Sequence, residues 1–203
     1  LMVRQIESVI RKNSAGHIVV IGDTNTTLAG SLAAKKCNVT LSHIEAGMRS
    51  FEPSMPEETN RIVSDHLSNL LFSPTPGAVA NLGGEGITQN VHLVGDVLYD
   101  VAMMLTSATR KPSRITDDVI QRSGKFVLTT VHRAVNTDNP TRLTAIVDGL
   151  CRVAKHFPVV CPLHPRTRAA LERTGCMERF SSQVRVLEPV GYLDMLGLVQ
   201  EAW

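Results

Sequence analysis

Short apolar runs closed by Gly, Asp, His or Pro alternate along this chain with stretches of helical period, the pattern of successive βα units around a parallel sheet. Seven runs read as strands: 17–21, 39–44, 70–72, 91–94, 126–131, 159–163 and 184–187. Helical spacing follows at 24–36, at 56–67, from near Asp96, at 139–156 and at 192–203. Pro56 and Pro140 suit the first turn of a helix, and Asp96 suits a cap. Leu143, Ile146, Val147, Leu150 and Ala154 give the fourth of these helices one apolar face. Between Ser107 and Asp118 the text turns polar around Pro112, which predicts an interdomain connection at 109–122. No internal repeat or low-complexity tract interrupts the pattern.

The unusual residues stand directly after the strands. They are Gly22-Asp23-Thr24, His43-Ile44-Glu45-Ala46-Gly47, Gly95-Asp96, His132-Arg133 and His164-Pro165. In an open parallel sheet the ligand crevice lies at the carboxyl ends of the strands, so polar groups gathered there predict a site.

Composition narrows the ligand. The 203 residues are 43% hydrophobic and 20% charged, an ordinary globular balance that excludes intrinsic disorder and collagen-like fibres. A net charge of +2 is too even for a polyanion-coating surface, and five Phe, two Tyr and one Trp are too few for a base-stacking platform. Neither a nucleic-acid nor a membrane partner is expected. Fifteen of the 21 basic residues are arginine, whose fork matches carboxylates and phosphates and points to a small anionic ligand. Four cysteines without a CxxC pair predict a reduced, cytoplasmic protein. No apolar run is long enough to cross a bilayer, the opening residues lack a signal-peptide layout, and a chain that starts on leucine reads as a fragment.

Each candidate residue also has a purely structural reading. Asp23 stands where it would cap the next helix. His43 and Glu45, two apart on an extended segment, project to one side; as a metal pair they lack a third ligand nearby, and no metal is assigned. Glu57 and Glu58 sit in a first helical turn, where the helix dipole favours carboxylates, and Arg61 is spaced to pair with either. His132-Arg133 reads as an anion or proton-transfer site or as a surface turn, and His164 is similar. Gly83-Gly84-Glu85-Gly86 reads as a loop, because no strand leads into it as a dinucleotide fingerprint requires. A Walker A loop and a Gly-x-Ser-x-Gly elbow are both missing, which argues against NTPase and hydrolase chemistry.

Taken together, the strings Gly22-Asp23-Thr24, His43-Ile44-Glu45-Ala46-Gly47-Met48-Arg49-Ser50, Met55-Pro56-Glu57-Glu58-Thr59-Asn60-Arg61, Phe72-Ser73-Pro74-Thr75, Val94-Gly95-Asp96, His132-Arg133 and Leu163-His164-Pro165 resemble the non-hydrolysing UDP-N-acetylglucosamine 2-epimerase family. Their order spans nearly the whole chain.

The resemblance implies an α/β fold of two Rossmann-like parallel-sheet domains facing a cleft, the glycosyltransferase B type, both incomplete here. Residues 1–108 would be the C-terminal portion of the first domain and 123–203 the N-terminal portion of the second. A Gly-Thr-Arg-Pro-Glu-like loop would precede this chain, and an Asp-Ser-Gly-Gly segment that grips the diphosphate would follow it.

It further implies interconversion of UDP-N-acetylglucosamine and UDP-N-acetylmannosamine by inversion at sugar carbon 2, through elimination and re-addition of UDP, with no cofactor. Asp23, Glu45, Glu57 and His132 carry over as catalytic residues, and Arg61, Arg133 and His164 as substrate-binding ones. Family members are commonly homodimers, so a homodimer is expected of the complete protein. One departure stands out: Val135 occupies the place where the family commonly has a glutamate. A glycosyltransferase of the same fold, or an inactive truncated relative that binds a nucleotide sugar, are the competing readings.

Overall fold

The computed structural model describes residues 1–108 and 114–203, which divide into two compact units, Leu1–Asp100 and Val101–Trp203. In the first unit the elements run α1 (Met2–Lys12), β1 (His17–Ile21), α2 (Asn25–Lys36), β2 (Thr40–Ile44), α3 (Pro56–Leu67), β3 (Leu70–Ser73), α4 (Pro76–Gly84) and β4 (Val91–Leu93), and α5 (Val97–Ala108) begins there. The four strands form one parallel sheet in the order β1-β2-β3-β4. In the register, Ile21 lies beside Ile44, Ile44 beside Phe72, and Phe72 beside His92, so the strands end on one line. Gly22-Asp23, Glu45-Ala46 and Gly95-Asp96 therefore leave the same edge of the sheet.

Helix packing follows from the side-chain pattern. Val3, Ile6, Glu7 and Ile10 of α1 recur at three- and four-residue spacing and are its shielded positions. Helix α2 meets the sheet through small residues: Ala29, Gly30, Ala33 and Ala34 are buried, and a Cβ on Gly30 would come within 3.0 Å of Val20. Helix α3 is different. Its buried residues are Glu58, Asn60, Ser64 and Asp65, so a polar stripe faces inward.

The second unit contains α6 (Arg114–Ser123), β5 (Val127–Leu128), α7 (Ala134–Thr137), α8 (Pro140–Ala154), β6 (Val159–Pro162), α9 (Pro165–Arg173), α10 (Met177–Gln183), β7 (Arg185–Leu187) and α11 (Tyr192–Glu201). Its sheet is also parallel, in the order β5-β6-β7, and every residue of the central β6 is buried. Leu143 and Val147 of α8 pack with Leu163, Leu171 and Phe180 in its core. All four cysteines are free thiols, and burial pushes Cys161 up to about 11, which makes it a packing group rather than a nucleophile. Among the described residues no helix is long and apolar enough to cross a membrane.

Several expectations change. Of the interval expected as a connection, 109–113 lies outside the described residues, and 114–122 is helical. Val119 of α6 is fully buried with Phe126, Val160 and Leu198, so this stretch belongs to a core. The strand expected over 126–131 shortens to Val127–Leu128. Thr129 still donates to the Val160 carbonyl at 2.9 Å, but the Val131 carbonyl is taken by the Thr167 hydroxyl, which draws the segment off the sheet. Gly83 and Gly84 close helix α4 instead of lying in a loop. The turn is made by Gly86 at φ +81°, with Ile87 N–H bonded to the Leu82 carbonyl at 2.9 Å.

Candidate active site

Strand alternation fails at Glu45, and that failure builds the site. His43 stays in the strand and is fully buried, whereas Glu45 adopts φ +73°. The amides of Glu45 and Ala46 both donate to the Phe72 carbonyl at 3.0 Å, which holds the bend. A non-glycine residue there costs about 1–2 kcal/mol, a form of local strain associated with functional positions. His43 and Glu45 both reach Gly22 but at different depths, the histidine fully buried and the glutamate half-buried. Gly47 completes the turn at φ +80°, where a Cβ would stand 2.3 Å from the Ala78 carbonyl oxygen, so only glycine fits.

Asp23 does not cap α2; the hydroxyl of Thr24 does, accepting from the Thr27 amide at 3.3 Å. The Asp23 carboxylate is instead paired with the Arg61 guanidinium from α3. Arg61 also donates to Glu58 Oε2 at 2.9 Å, the i,i+3 pairing foreseen for this helix. Asn60 donates to the Asp23 carbonyl at 2.9 Å and to Asn25 Oδ1 at 3.0 Å. Three side chains from α3's first turns therefore serve this corner.

The two neighbouring glutamates separate in role. Glu58 is buried and accepts from the Ser50 amide at 2.9 Å, the Ser50 hydroxyl at 2.8 Å and the Phe51 amide at 2.9 Å. Burial pushes its carboxyl up, but those bonds and the Arg61 charge outweigh it and hold the group below the ordinary carboxylate range. Glu57 is exposed and, among the described residues, engages no hydrogen bond or ion pair. Glu45 shifts the other way. Partial burial raises it, and repulsion from Asp23 and then Asp96 adds to the rise, against the opposing pull of Arg61 and His43. Its walls are Ile44, Pro74 and Gly95-Asp96-Val97-Leu98 at the start of α5, where Asp96 Oδ1 accepts from the Leu98 amide at 2.8 Å.

A buried charge network lies behind these groups. Asp65 is fully buried, with Oδ1 2.6 Å from His43 Nδ1 and Oδ2 2.7 Å from an Arg49 guanidinium nitrogen. Arg49 reaches on to Glu85 through two bonds of 2.6 and 2.8 Å. The residue pattern singles out neither Asp65 nor the contacts of Asn60, although polar residues at 58, 61 and 65 on a helix already trace an inward stripe. Among the described residues, no three His, Cys, Asp or Glu side chains gather as a metal site.

The structure thus brings Asp23, Glu45 and Arg61 together, with Glu57 at the start of the same helix as Arg61. His132, Arg133 and His164 belong to the second unit. His132 and Arg133 follow β5, line a pocket with Thr130, Asn136 and Ile146, and are exposed. His164 follows β6 and caps α9, its Nδ1 accepting from the Arg166 amide at 3.2 Å. The hydroxyl of Thr167, in that helix's first turn, bonds the Val131 carbonyl and ties the two loops to each other. Val135 is exposed on the short helix after Arg133.

Known proteins are similar to this chain in sequence and fold. The family model described as UDP-N-acetylglucosamine 2-epimerase matches residues 1–203. UDP-2,3-diacetamido-2,3-dideoxy-D-glucuronate 2-epimerase of Pseudomonas aeruginosa is 45% identical over 205 residues, covering 99% of this chain and 55% of that protein. UDP-N-acetylglucosamine 2-epimerase of Methanococcus maripaludis is 39% identical over 208 residues, covering 99% of this chain and 57% of that one. The crystal structure of the Methanocaldococcus jannaschii UDP-GlcNAc 2-epimerase in complex with UDP-GlcNAc and UDP superposes with a TM-score of 0.91 at 37% identity, over 99% of this chain and 57% of that one. The chain spans about half the length of the curated relatives it matches. Matched from end to end by the family model, and folded as its solved members are, the chain belongs to the UDP-N-acetylglucosamine 2-epimerase family.

Proposed function

We propose that the complete protein interconverts UDP-N-acetylglucosamine and UDP-N-acetylmannosamine by inverting carbon 2 of the sugar. That carbon bears a scarcely acidic proton, so the route is elimination. A base takes the C2 proton while the C1–O bond to UDP breaks, leaving an unsaturated sugar; UDP then adds back at C1 as a proton returns to C2 on the opposite face. No redox cofactor enters this balance. The chemistry needs acid–base groups on both faces of the sugar and a cationic grip on the diphosphate. Asp23, Glu45 and Glu57 are the acid–base candidates. His132 faces the leaving group or shuttles a proton, and Arg61, Arg133 and His164 hold substrate oxygens.

The observation that carries this reading is the raised Glu45 carboxyl beside the Arg61-paired Asp23, two carboxylates on one sheet edge in unlike electrostatic surroundings. A homodimer in the cytoplasm completes the proposal; the free cysteines suit that compartment. The experiment is incubation of the complete protein in heavy water with UDP-N-acetylglucosamine and no acceptor. Formation of the manno isomer with deuterium at C2 is the expected result. Reaction only when an acceptor is supplied would replace the proposal with sugar transfer.

One observation favours a second substrate. The 45% identical relative is named for a diacetamido-glucuronate sugar, so UDP-2,3-diacetamido-2,3-dideoxy-D-glucuronic acid belongs in the same assay.

The Glu45 surroundings give a pH signature. Asp96→Asn keeps a side-chain oxygen to cap α5 but removes one of the negative charges that raise Glu45. The Glu45 carboxyl then falls, because its ionised form meets less repulsion. Whichever limb of the kcat/KM profile Glu45 governs is expected to move toward lower pH. An unmoved profile would remove Glu45 from the rate-determining protonation.

A further inference from the structure

His43 is fully buried, yet it contributes nothing apolar that a leucine would not. Burying an imidazole and a carboxylate costs desolvation that stability alone does not require. Its two bonds identify what the pair does. Nε2 lies 2.8 Å from the Gly22 carbonyl oxygen, which only accepts, so the ring donates there. Nδ1 lies 2.6 Å from Asp65 Oδ1 on α3. The other oxygen of Asp65 accepts from the Gly47 amide at 3.1 Å, just beyond Glu45. A single buried pair thus bridges the turn after β1, the turn after β2 and helix α3.

Gly22 is where these constraints meet. It has φ +71°, its amide donates to the Ile44 carbonyl at 3.1 Å, and its carbonyl accepts from His43. A Cβ on Gly22 would lie 3.4 Å from Glu45 Oε2, so the Glu45 carboxylate passes directly over this residue. Asp23 follows immediately. A rotation of the Gly22 peptide would therefore move the Asp23 side chain away from Arg61 and alter its separation from Glu45.

We propose that His43 is a positioning residue: its bond to the Gly22 carbonyl holds the Gly22-Asp23 turn and fixes the spacing of the Asp23 and Glu45 carboxylates, while Asp65 orients the ring. The inference rests on the proposed epimerisation for its kinetic consequence, and on geometry alone for its structural one. Misplacing a reacting group by about 1 Å costs on the order of 100-fold in rate, so the device has room to matter.

Two substitutions in the complete protein separate the bonds. His43→Gln extends its amide to the place of Nε2 and keeps the Gly22 bond while giving up Asp65. His43→Asn places its amide near Nδ1 and does the reverse. Both lose one buried bond, so a merely structural role lowers the melting temperature and the activity of the two variants alike. Positioning instead lowers kcat of His43→Asn by about 100-fold and that of His43→Gln by less than about tenfold, with KM of both within about threefold of wild type. Equal kcat values in the two variants, or a loss that falls on KM, would overturn it. Crystal structures of both variants give the readout that needs no turnover. A Gly22-Asp23 turn displaced in His43→Asn and unmoved in His43→Gln supports the assignment, and a turn unmoved in both sinks it. Should the wild type convert neither UDP-sugar, the epimerase reading fails while these structures still decide the positioning.

Discussion

Glu57→Gln in the complete protein is expected to abolish most turnover while leaving the fold intact, and Glu58→Gln to do nearly the opposite. Glu57 is exposed and unbonded within the described residues, so its substitution should change unfolding free energy by less than about 0.5 kcal/mol. If it supplies acid–base catalysis, its loss costs roughly 10²–10⁴ in kcat. Glu58 accepts four bonds in a buried setting. Glutamine would turn an NH2 group toward donors that need an acceptor, at a cost of about 2–3 kcal/mol. The sign of the pH dependence follows from the same contacts. Because the folded carboxyl is held below its unfolded value, its contribution is present above the unfolded value and is lost as pH falls through the folded one. The wild type should therefore lose more stability on acidification than Glu58→Gln does. Urea titrations at two pH values, alongside the deuterium assay, check the pair; near-normal turnover in Glu57→Gln would leave that residue a helix-start carboxylate only.

Much of this was legible in the residues because the apolar runs are short and end on residues that cannot continue a strand. The run 17–21 stops at Gly22, and β1 ends there; the proline at 56 and the last apolar residue at 67 bracket α3 as observed. Helices α9 and α10 escaped notice because short, charge-rich amphipathic segments such as Pro165–Arg173 carry few apolar positions from which to read a period. Helix α6 was hidden by the polar text around it, although Val119 anchors it. The candidate site was legible as residue types after strands, since an open sheet exposes those positions. Its geometry was not. The reversal at Glu45 depends on a left-handed backbone that residue type does not announce, and the partnership of His43 with Asp65 joins positions 22 residues apart in sequence. A polar helix face is the trace such a network leaves, and in α3 that face is buried.

Asp65→Ala is expected to be the most destabilising of the changes considered. It would strand the Nδ1 side of the His43 ring, the Gly47 amide and one arm of Arg49 in a site where the side chains of His43 and Asp65 are 0% exposed and that of Arg49 is 1% exposed. Removing one partner of a buried ion pair typically costs about 3–5 kcal/mol, because an uncompensated charge is left without water. That is a large share of the roughly 5–15 kcal/mol by which a domain is stable. Asp138→Ala provides the contrast. Its partner Arg166 lies at 2.6 Å, but the two side chains are about half exposed, and pairs of that kind contribute about 0–1 kcal/mol. Geometry alone would rank the two bridges as equals; burial separates them several-fold. Urea unfolding of both variants of the complete protein reads the difference directly. Equal and small losses would mean that water reaches Asp65, and the buried network would then cease to explain why the turns bearing Asp23 and Glu45 hold their place.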